Sequence, residues 1–431
     1  MEKFMQFLEE RIMPSATKIS TQRHMAAIRK GIVATLPLTI VGSFFTILLN
    51  VPIDSIAAML APYASVIDIP FRYTVGILSL YCSFTIAATL GESYKLNTIT
   101  SGMLGTLAFL ITTVTPTRVT EAVDGVIASG RYINIANLSS QSLFSAILTA
   151  ILAVEIYNFM QKKNFTLKIP DGVPPEVSNS FIALIPTAVI ILLFWFVRYF
   201  FNLNINELLT TALTPLKGIL AGNSLLGGLL TVLLICVFWV LGIHGPAILG
   251  PIIRPFWDMS IAENMEAFAA GVSANALPNI FTEQFLQWFV WIGGAGATLA
   301  LTLLFLRSKS TYFKKLGKLS FLPGLFNINE PMIFGAPIVM NPILAIPFIV
   351  APLVTTTLSY VLTITNIVPM MMARLPFTVI SPIAAWMSTD WSITAGALVI
   401  VNFIISVAIY YPFFKVAEKQ QLAKELEGNN S

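Results

Sequence analysis

Apolar runs recur along this chain with almost no charge inside them, for instance at 31–49, 180–201, 223–243 and 392–414. A helix rises about 1.5 Å per residue, so runs of that length reach across the roughly 30 Å hydrocarbon layer of a membrane. In that layer every backbone N–H and C=O must be paired within the protein, which leaves helices or a closed barrel as spanning structures. A barrel would show weak alternating segments of about ten residues instead of long apolar blocks. Charged residues are 11% of the 431, against about 25% in soluble proteins. The expected fold class is an all-α polytopic membrane protein, with about ten transmembrane helices, two re-entrant hairpins and amphipathic interfacial helices.

The blocks that read as spans are 31–49, 73–91, 98–115, 141–159, 180–201, 223–243, 285–306, 337–362, 371–387 and 392–414. Ahead of them, Phe4, Phe7, Leu8 and Ile12 recur at helical spacing among Glu and Lys, the pattern of an interfacial amphipathic helix. Met1-Glu2-Lys3 opens a segment too polar for a signal-peptide core, so no cleaved leader is expected. Arg23, Arg29 and Lys30 place this end in the cytoplasm. Residues 116–140 read as a polar, strand-like outer loop, and the lysines and prolines of 161–175 as a structured cytoplasmic one. In 202–220, Ile205, Leu208, Leu209, Ala212, Leu216 and Ile219 form one apolar stripe in a segment too polar to cross. It reads as an interfacial helix joining two halves, giving domains 1–201, 202–222 and 223–431.

Two stretches of the second half break the pattern. Between 242 and 287, charged and amide side chains crowd together with Pro246, Pro251, Pro255 and Pro278. The apolar pieces left between them are too short to cross, so a re-entrant hairpin is expected. A second re-entrant segment is expected at 320–336. The run Arg307, Lys309, Lys314, Lys315 and Lys318 reads as cytoplasmic, yet ten spans with both termini inside put it outside. Either a late block such as 371–387 does not cross, or this run departs from the rule. A Lys/Glu-rich tail, 415–431, closes the chain.

These stretches hold two groups that hydrocarbon disfavours. Glu330 lies in Asn327-Ile328-Asn329-Glu330-Pro331, with Asn341 close by and Gly335, Pro337 and Pro342 forbidding a continuous helix. Broken backbone at membrane depth is tolerated where protein buries it or it lines a wet cavity, and an ionisable group there marks function. The plainer reading is a surface loop in which Glu330 caps the next helix. His244 lies in Gly242-Ile243-His244-Gly245-Pro246, and either handles a hydroxyl proton or is a satisfied histidine at a helix end. Asn275 and Asn279 project together if their segment is helical and are turn residues if it is not. Trp386 and Trp391 flank Asp390; an aromatic face stacks on a sugar ring or belongs to an interfacial belt, the preferred reading for Trp391. Arg254 and Arg374 either balance buried carboxylates or snorkel, while Asp258, Glu263 and Glu266 are expected to face water. Cys82 and Cys236 read as small buried hydrophobes. His24 and His244 are the only histidines, so no metal or cofactor is expected, and a net charge of +4 gives no sign of nucleic acid.

The Gly-Ile-His-Gly-Pro motif, the Asn-Ile-Asn-Glu-Pro motif and Lys-Ile-Pro-Asp-Gly-Val-Pro-Pro at 168–175 together resemble enzyme IIC of the lactose, cellobiose and chitobiose family. That enzyme is the membrane component of the bacterial phosphoenolpyruvate-dependent sugar phosphotransferase system, and the likeness covers essentially the whole chain. The resemblance implies a homodimer in the bacterial cytoplasmic membrane, both termini cytoplasmic, with the first half forming the dimer contact. The second half would hold one disaccharide between two re-entrant hairpins. The motif histidine and glutamate, which map onto His244 and Glu330, would contact the sugar near its 6-hydroxyl, with Asn279, Trp386 and Asn329 as further sugar-binding candidates. A separate IIB protein, phosphorylated on cysteine through IIA, would be the phosphoryl donor, making the chain the membrane part of a sugar phosphotransferase. The rival is a proton-coupled sugar symporter in which Glu330 carries the proton. Nothing in the motifs separates cellobiose from diacetylchitobiose or lactose.

Overall fold

The computed structural model describes residues 22–119, 130–167, 181–209, 211–212, 223–242, 245–336, 338 and 341–429. The amphipathic lead-in before residue 22, the 168–175 motif, residues 213–222 of the joint and His244 lie outside the described residues. Five described helical stretches are long and apolar enough to cross a membrane: Arg23–Leu49, Asp54–Ser93, Ser140–Lys162, Ile343–Ile364 and Ile393–Glu427. Three shorter apolar helices are Thr98–Thr113, Leu184–Phe200 and Leu225–Val240. The chain divides into two compact units.

The first unit takes Ile19–Gly42 and Ile69–Pro215. Its helices include α1 (Arg23–Ala34), α2 (Leu78–Ser93), α3 (Thr98–Thr113), α4 (Leu143–Lys162) and α5 (Leu184–Trp195). Helices α2, α3 and α4 pack on one another, α1 packs on α2, and α5 on α3. Lipid offers no hydrophobic drive between helices, so close approach through small residues and interhelical hydrogen bonds holds them. A Cβ at Gly31 would lie 2.7 Å from the Ile86 backbone, and Thr85 Oγ1 donates to Gly31 O at 2.8 Å. The strand-like alternation of the outer loop appears as β1 (Thr117–Val119) paired antiparallel with β2 (Gly130–Tyr132). The joint begins helically, with Ile205 buried and Asn206 Oδ1 accepting from Ser145 Oγ of α4 at 2.9 Å.

The second unit takes Ser43–Asp68 and the described part of Leu216–Ser431. In chain order it holds α6 (Leu225–Val240), α7 (Gly245–Ala269), α8 (Leu299–Leu306), α9 (Thr311–Leu325), α10 (Glu330–Gly335), α11 (Pro342–Ile364), α12 (Ser381–Ser388) and α13 (Ile393–Asn429). Hydrogen bonds and ring contacts gather the helix ends into two sets. At one end Asn223 Nδ2 donates to Pro278 O (3.0 Å), Tyr360 OH to Asn223 O (2.8 Å), Met370 N to Ala274 O (2.9 Å) and Thr394 Oγ1 to Ile367 O (2.7 Å). At the other, Phe305 meets Phe414, Ser308 meets Glu418 and Tyr312 meets Gly335. Helices α6 and α13 therefore run from the first end to the second, and α7 and α11 run the opposite way.

Three expectations change here. The stretch after Gly242 is no set of short pieces: α7 is one helix of 25 residues, about 37 Å long. Pro246 falls in its first turn, where no N–H bond is lost. The later prolines do not end the helix, whose 256–262 run is entirely buried. The block 285–306 is broken into Glu283–Phe285, a wide π turn Leu286–Val290, a non-helical loop and then α8. The block 371–387 is not one helix either, because 369–376 is irregular and buried over Met371–Arg374. Only the eight residues of α12 are helical, about 12 Å, too short to cross alone. The polar tail continues α13 to Asn429 and bonds to the chain ahead of α9. Glu418 accepts from Ser308 Oγ and Lys309 N at 2.7 Å each, and Glu425 from Ser310 Oγ (2.6 Å), Thr311 N (3.2 Å) and Tyr312 N (3.0 Å). These carboxylates satisfy N–H groups that a helix start leaves open.

Candidate functional site

The site is built around the break between Val290 and Leu299. There Gly293, Gly294 and Gly296 have φ of +77°, +96° and +81°, and Ala297 has +54°. L side chains rarely adopt that conformation, so glycine is what lets the helix stop. Each freed main-chain group then needs a partner. Asn402 Nδ2 donates to Phe289 O (2.9 Å), Thr298 Oγ1 to Gly293 O (2.7 Å), and Tyr410 OH to Gly296 O (2.7 Å). The remaining two partners come from the glutamate motif. Asn327 Oδ1 accepts from Gly293 N (3.0 Å) and Asn329 Nδ2 donates to Ala295 O (2.8 Å). A Cβ at Gly294 would lie 2.4 Å from the Asn329 side chain, so the loop fits the motif only as glycine.

Asn327 does more. Its backbone is left-handed, with φ +62°, its Nδ2 donates to Phe377 O (2.8 Å) and Val379 O (3.1 Å), and its Oδ1 also accepts from Ser381 Oγ (3.0 Å). One buried amide thus ties the glycine loop, the chain entering α12 and α12 itself to the motif. Glu330 follows at the first position of α10 and is exposed. Its carboxylate stands free of the scaffold that its two neighbours anchor. Asn329, read from sequence as a sugar contact, is buried with its amide on the Ala295 carbonyl.

His244 lies outside the described residues, but the segments beside it are fixed. Gly242 is left-handed (φ +78°), and a Cβ at Gly245 would lie 2.5 Å from Ile235 O. Trp239, near the end of α6, meets Phe334 of α10 with ring centroids 6.3 Å apart. The chain just before the histidine motif is therefore a neighbour of the helix that Glu330 begins, a contact no spacing in the sequence signals.

Asn279 is buried, and its Nδ2 donates to Glu263 Oε2 (2.8 Å), Ser260 O (3.2 Å) and Asn264 Oδ1 (3.3 Å). Asn264 returns Nδ2 bonds to Asn279 O (2.7 Å) and Met371 O (2.9 Å). This pair sews the return chain and the irregular segment onto α7. Asn275 is exposed in the turn at the tip, so the two asparagines share no helical face. Trp386 is on the surface of α12, edge-on to Trp391 at 4.8 Å. Trp391 is partly buried and packs against the cluster of Ile47, Ala274, Leu277, Met372 and Ala373.

A charged knot in this unit decides between the two readings of Arg254 and Arg374. Arg254 forms a two-pronged bond to Glu283 (2.8 and 3.0 Å), Arg374 bonds Asp258, and Glu283 reaches Arg374 at 3.5 Å. Asp258, expected to face water, is 2% exposed. Burial of the arginines explains this, because a carboxylate beside them offsets its own desolvation. Arg254 and Arg374 therefore balance carboxylates and do not snorkel. Cys82 and Cys236 are buried, as read, and neither is in a disulfide. No group of three metal-ligating side chains occurs among the described residues.

The profile of the family described as "Phosphotransferase system, EIIC" matches residues 29–352. The chain is 41% identical to the putative permease IIC component YwbA of Bacillus subtilis (strain 168), covering 99% of this chain and 98% of that one. It is 39% identical to the cellobiose-specific EIIC component of the PTS system of Geobacillus stearothermophilus, covering 99% and 96%. Among solved structures it is similar to the transporter ChbC, the IIC component from the N,N'-diacetylchitobiose-specific phosphotransferase system. The TM-score is 0.89 at 37% identity, over 97% of this chain and 99% of that one.

Proposed function

Because the chain belongs to the EIIC components of the phosphotransferase system, integral membrane permeases of a sugar phosphotransfer chain, we propose that it carries a disaccharide inward for 6-phosphorylation by a phosphorylated IIB protein. The cellobiose or diacetylchitobiose type of sugar is suggested by the names of its relatives. The observation that carries the reading is the free carboxylate of Glu330 on a helix seated by Asn327 and Asn329 on the glycine loop, beside the chain that leads to His244. Both groups would bear on the sugar 6-hydroxyl, with Trp386 as a stacking face. Asn279 and Asn329 would act mainly by holding the frame. In the transfer the phosphocysteine S–P bond breaks, an O6–P bond forms, and the hydroxyl proton passes to His244 or Glu330. The charged product does not recross hydrocarbon, which makes uptake one-way.

The layout of the helix ends supports a topology. If α7 crosses and 371–387 does not, ten crossings remain, both termini are cytoplasmic, and 307–318 falls on the cytoplasmic side as its charge demands. This count replaces the first re-entrant hairpin with a crossing helix. It also puts the Gly242–Pro246 motif and Glu330 toward the cytoplasm, where a soluble donor works. A homodimer through the 1–201 half in the bacterial cytoplasmic membrane completes the reading. The test is transport in sealed vesicles. Uptake should require phosphorylated IIB and yield only sugar phosphate; accumulation of unmodified sugar on a proton gradient without IIB would establish the symporter instead.

A further inference from the structure

We infer that the exposed face of α9, with the residues leading into it, is the docking surface for an acidic face of the phosphoryl donor. The inference rests on the proposed function above. From Arg307 to Lys318 the chain carries Arg307, Lys309, Lys314, Lys315 and Lys318 and no acidic residue, and all five are exposed. Lys314, Lys315 and Lys318 sit opposite the buried Phe313, Leu316, Gly317 and Ser320 of the same helix.

The carboxylates nearest to this run do not cancel it side chain to side chain. Glu418 and Glu425 point at main-chain N–H groups and serine hydroxyls of 308–312, and Glu418 is also paired with Lys415 at 2.8 Å. They fix the shape of the cationic run and leave its ammonium groups outward. A field of one sign on a fixed surface speeds encounter with a complementary partner.

Anionic lipid headgroups would share this chemistry, but two contacts favour a protein that acts on the site. Tyr312 OH donates to Gly335 O at 2.7 Å, and the Leu316 side chain packs against Gly335, where a Cβ would lie 2.5 Å from it. The cationic helix is thus joined to the last residue of the helix that Glu330 begins. A donor seated on α9 sits beside the carboxylate it must serve.

The experiment uses the full chain in nanodiscs of pure phosphatidylcholine and in discs containing phosphatidylglycerol, with its phosphorylated IIB as substrate. Lys314→Glu, Lys315→Glu and Lys318→Glu together should raise the KM for phosphorylated IIB about tenfold or more in either lipid. The Kd for the disaccharide should not change. The parent's KM should rise with salt, and the variant's less. Tyr312→Phe should lower kcat and leave that KM in place, because it cuts the link to α10 and keeps the charge. If the triple Glu variant does not fold, the Lys→Gln triple carries the same expectation at smaller size. A KM unchanged in all variants, or one that changes only in phosphatidylglycerol discs, overturns the docking surface in favour of a lipid contact. A parent that accepts no phosphoryl group from IIB would instead overturn the function on which it rests.

Discussion

Removing the Asn327 side chain tests whether the glycine loop seats the Glu330 segment. Asn327→Ala deletes four hydrogen bonds: two donated to Phe377 O and Val379 O, and two accepted from Gly293 N and Ser381 Oγ. Side-chain hydrogen bonds within membrane proteins contribute about 0.6 kcal/mol each on average and about 1.7 at most. Leaving a buried donor such as Gly293 N unpaired costs about 1–3 kcal/mol. Partial relaxation keeps the sum near 3 kcal/mol, and at about 2–4 °C per kcal/mol for a unit of this size the melting midpoint should fall by about 6–12 °C. The functional loss should be larger than stability explains, because a displacement of about 1 Å at a reacting group costs on the order of 100-fold in rate. The assay pairs a thermal melt in detergent with phosphorylation kinetics well below the melt. Asn327→Asp keeps the acceptor for Gly293 and loses both donors, so it should fall between parent and alanine in both readouts. An alanine variant that melts and phosphorylates like the parent would show that the loop does not depend on Asn327, and the seating argument would fail.

Three further perturbations follow from the same structure. Glu330→Gln and His244→Ala should each weaken sugar binding by about 1–3 kcal/mol, measured by calorimetry on folded protein; a double mutant whose losses simply add would mean that the two groups act independently. Asp258→Ala should destabilise by about 3–5 kcal/mol, since it leaves Arg374 buried without its partner, and Asp258→Ala with Arg374→Met should recover most of that in a melt; a single mutant that melts like the parent would refute the buried pairing. Cysteine scanning of 202–220 should label one face only, in keeping with the helical start seen at Ile205; uniform protection would mean that the segment crosses.

Hydropathy alone located the long apolar helices, because a lipid-facing helix must be apolar along its length. Glu330 was legible for the opposite reason, as a charge where hydrocarbon penalises one. The break at 290–299 was not, since Gly293, Gly294 and Gly296 read as ordinary members of an apolar run. What marks them is their φ and their partners, Asn327 for Gly293 and Tyr410 for Gly296, which lie 34 and 114 positions away. In the same way Asp258 was expected to face water because its stretch read as the rim of a hairpin, while the arginine that pairs with it is 116 positions on. The prolines of α7 misled in the other direction. They were read as helix breakers, yet one helix runs through Pro246, Pro251 and Pro255 to Ala269.

The bonds from the tail to 308–312 impose an order on biogenesis. The open N–H groups at the start of α9 are met by Glu418 and Glu425, which follow them by 109 to 114 positions. At about 5–20 residues per second, the ribosome delivers those carboxylates roughly 5–20 s after α9 has been made. For that interval α9, and the Glu330 helix bonded to it through Tyr312, wait on a nascent chain that has not yet produced their clamp. A stop codon placed before Glu418 would leave the apolar part of α13 in place and the start of α9 without its fastening.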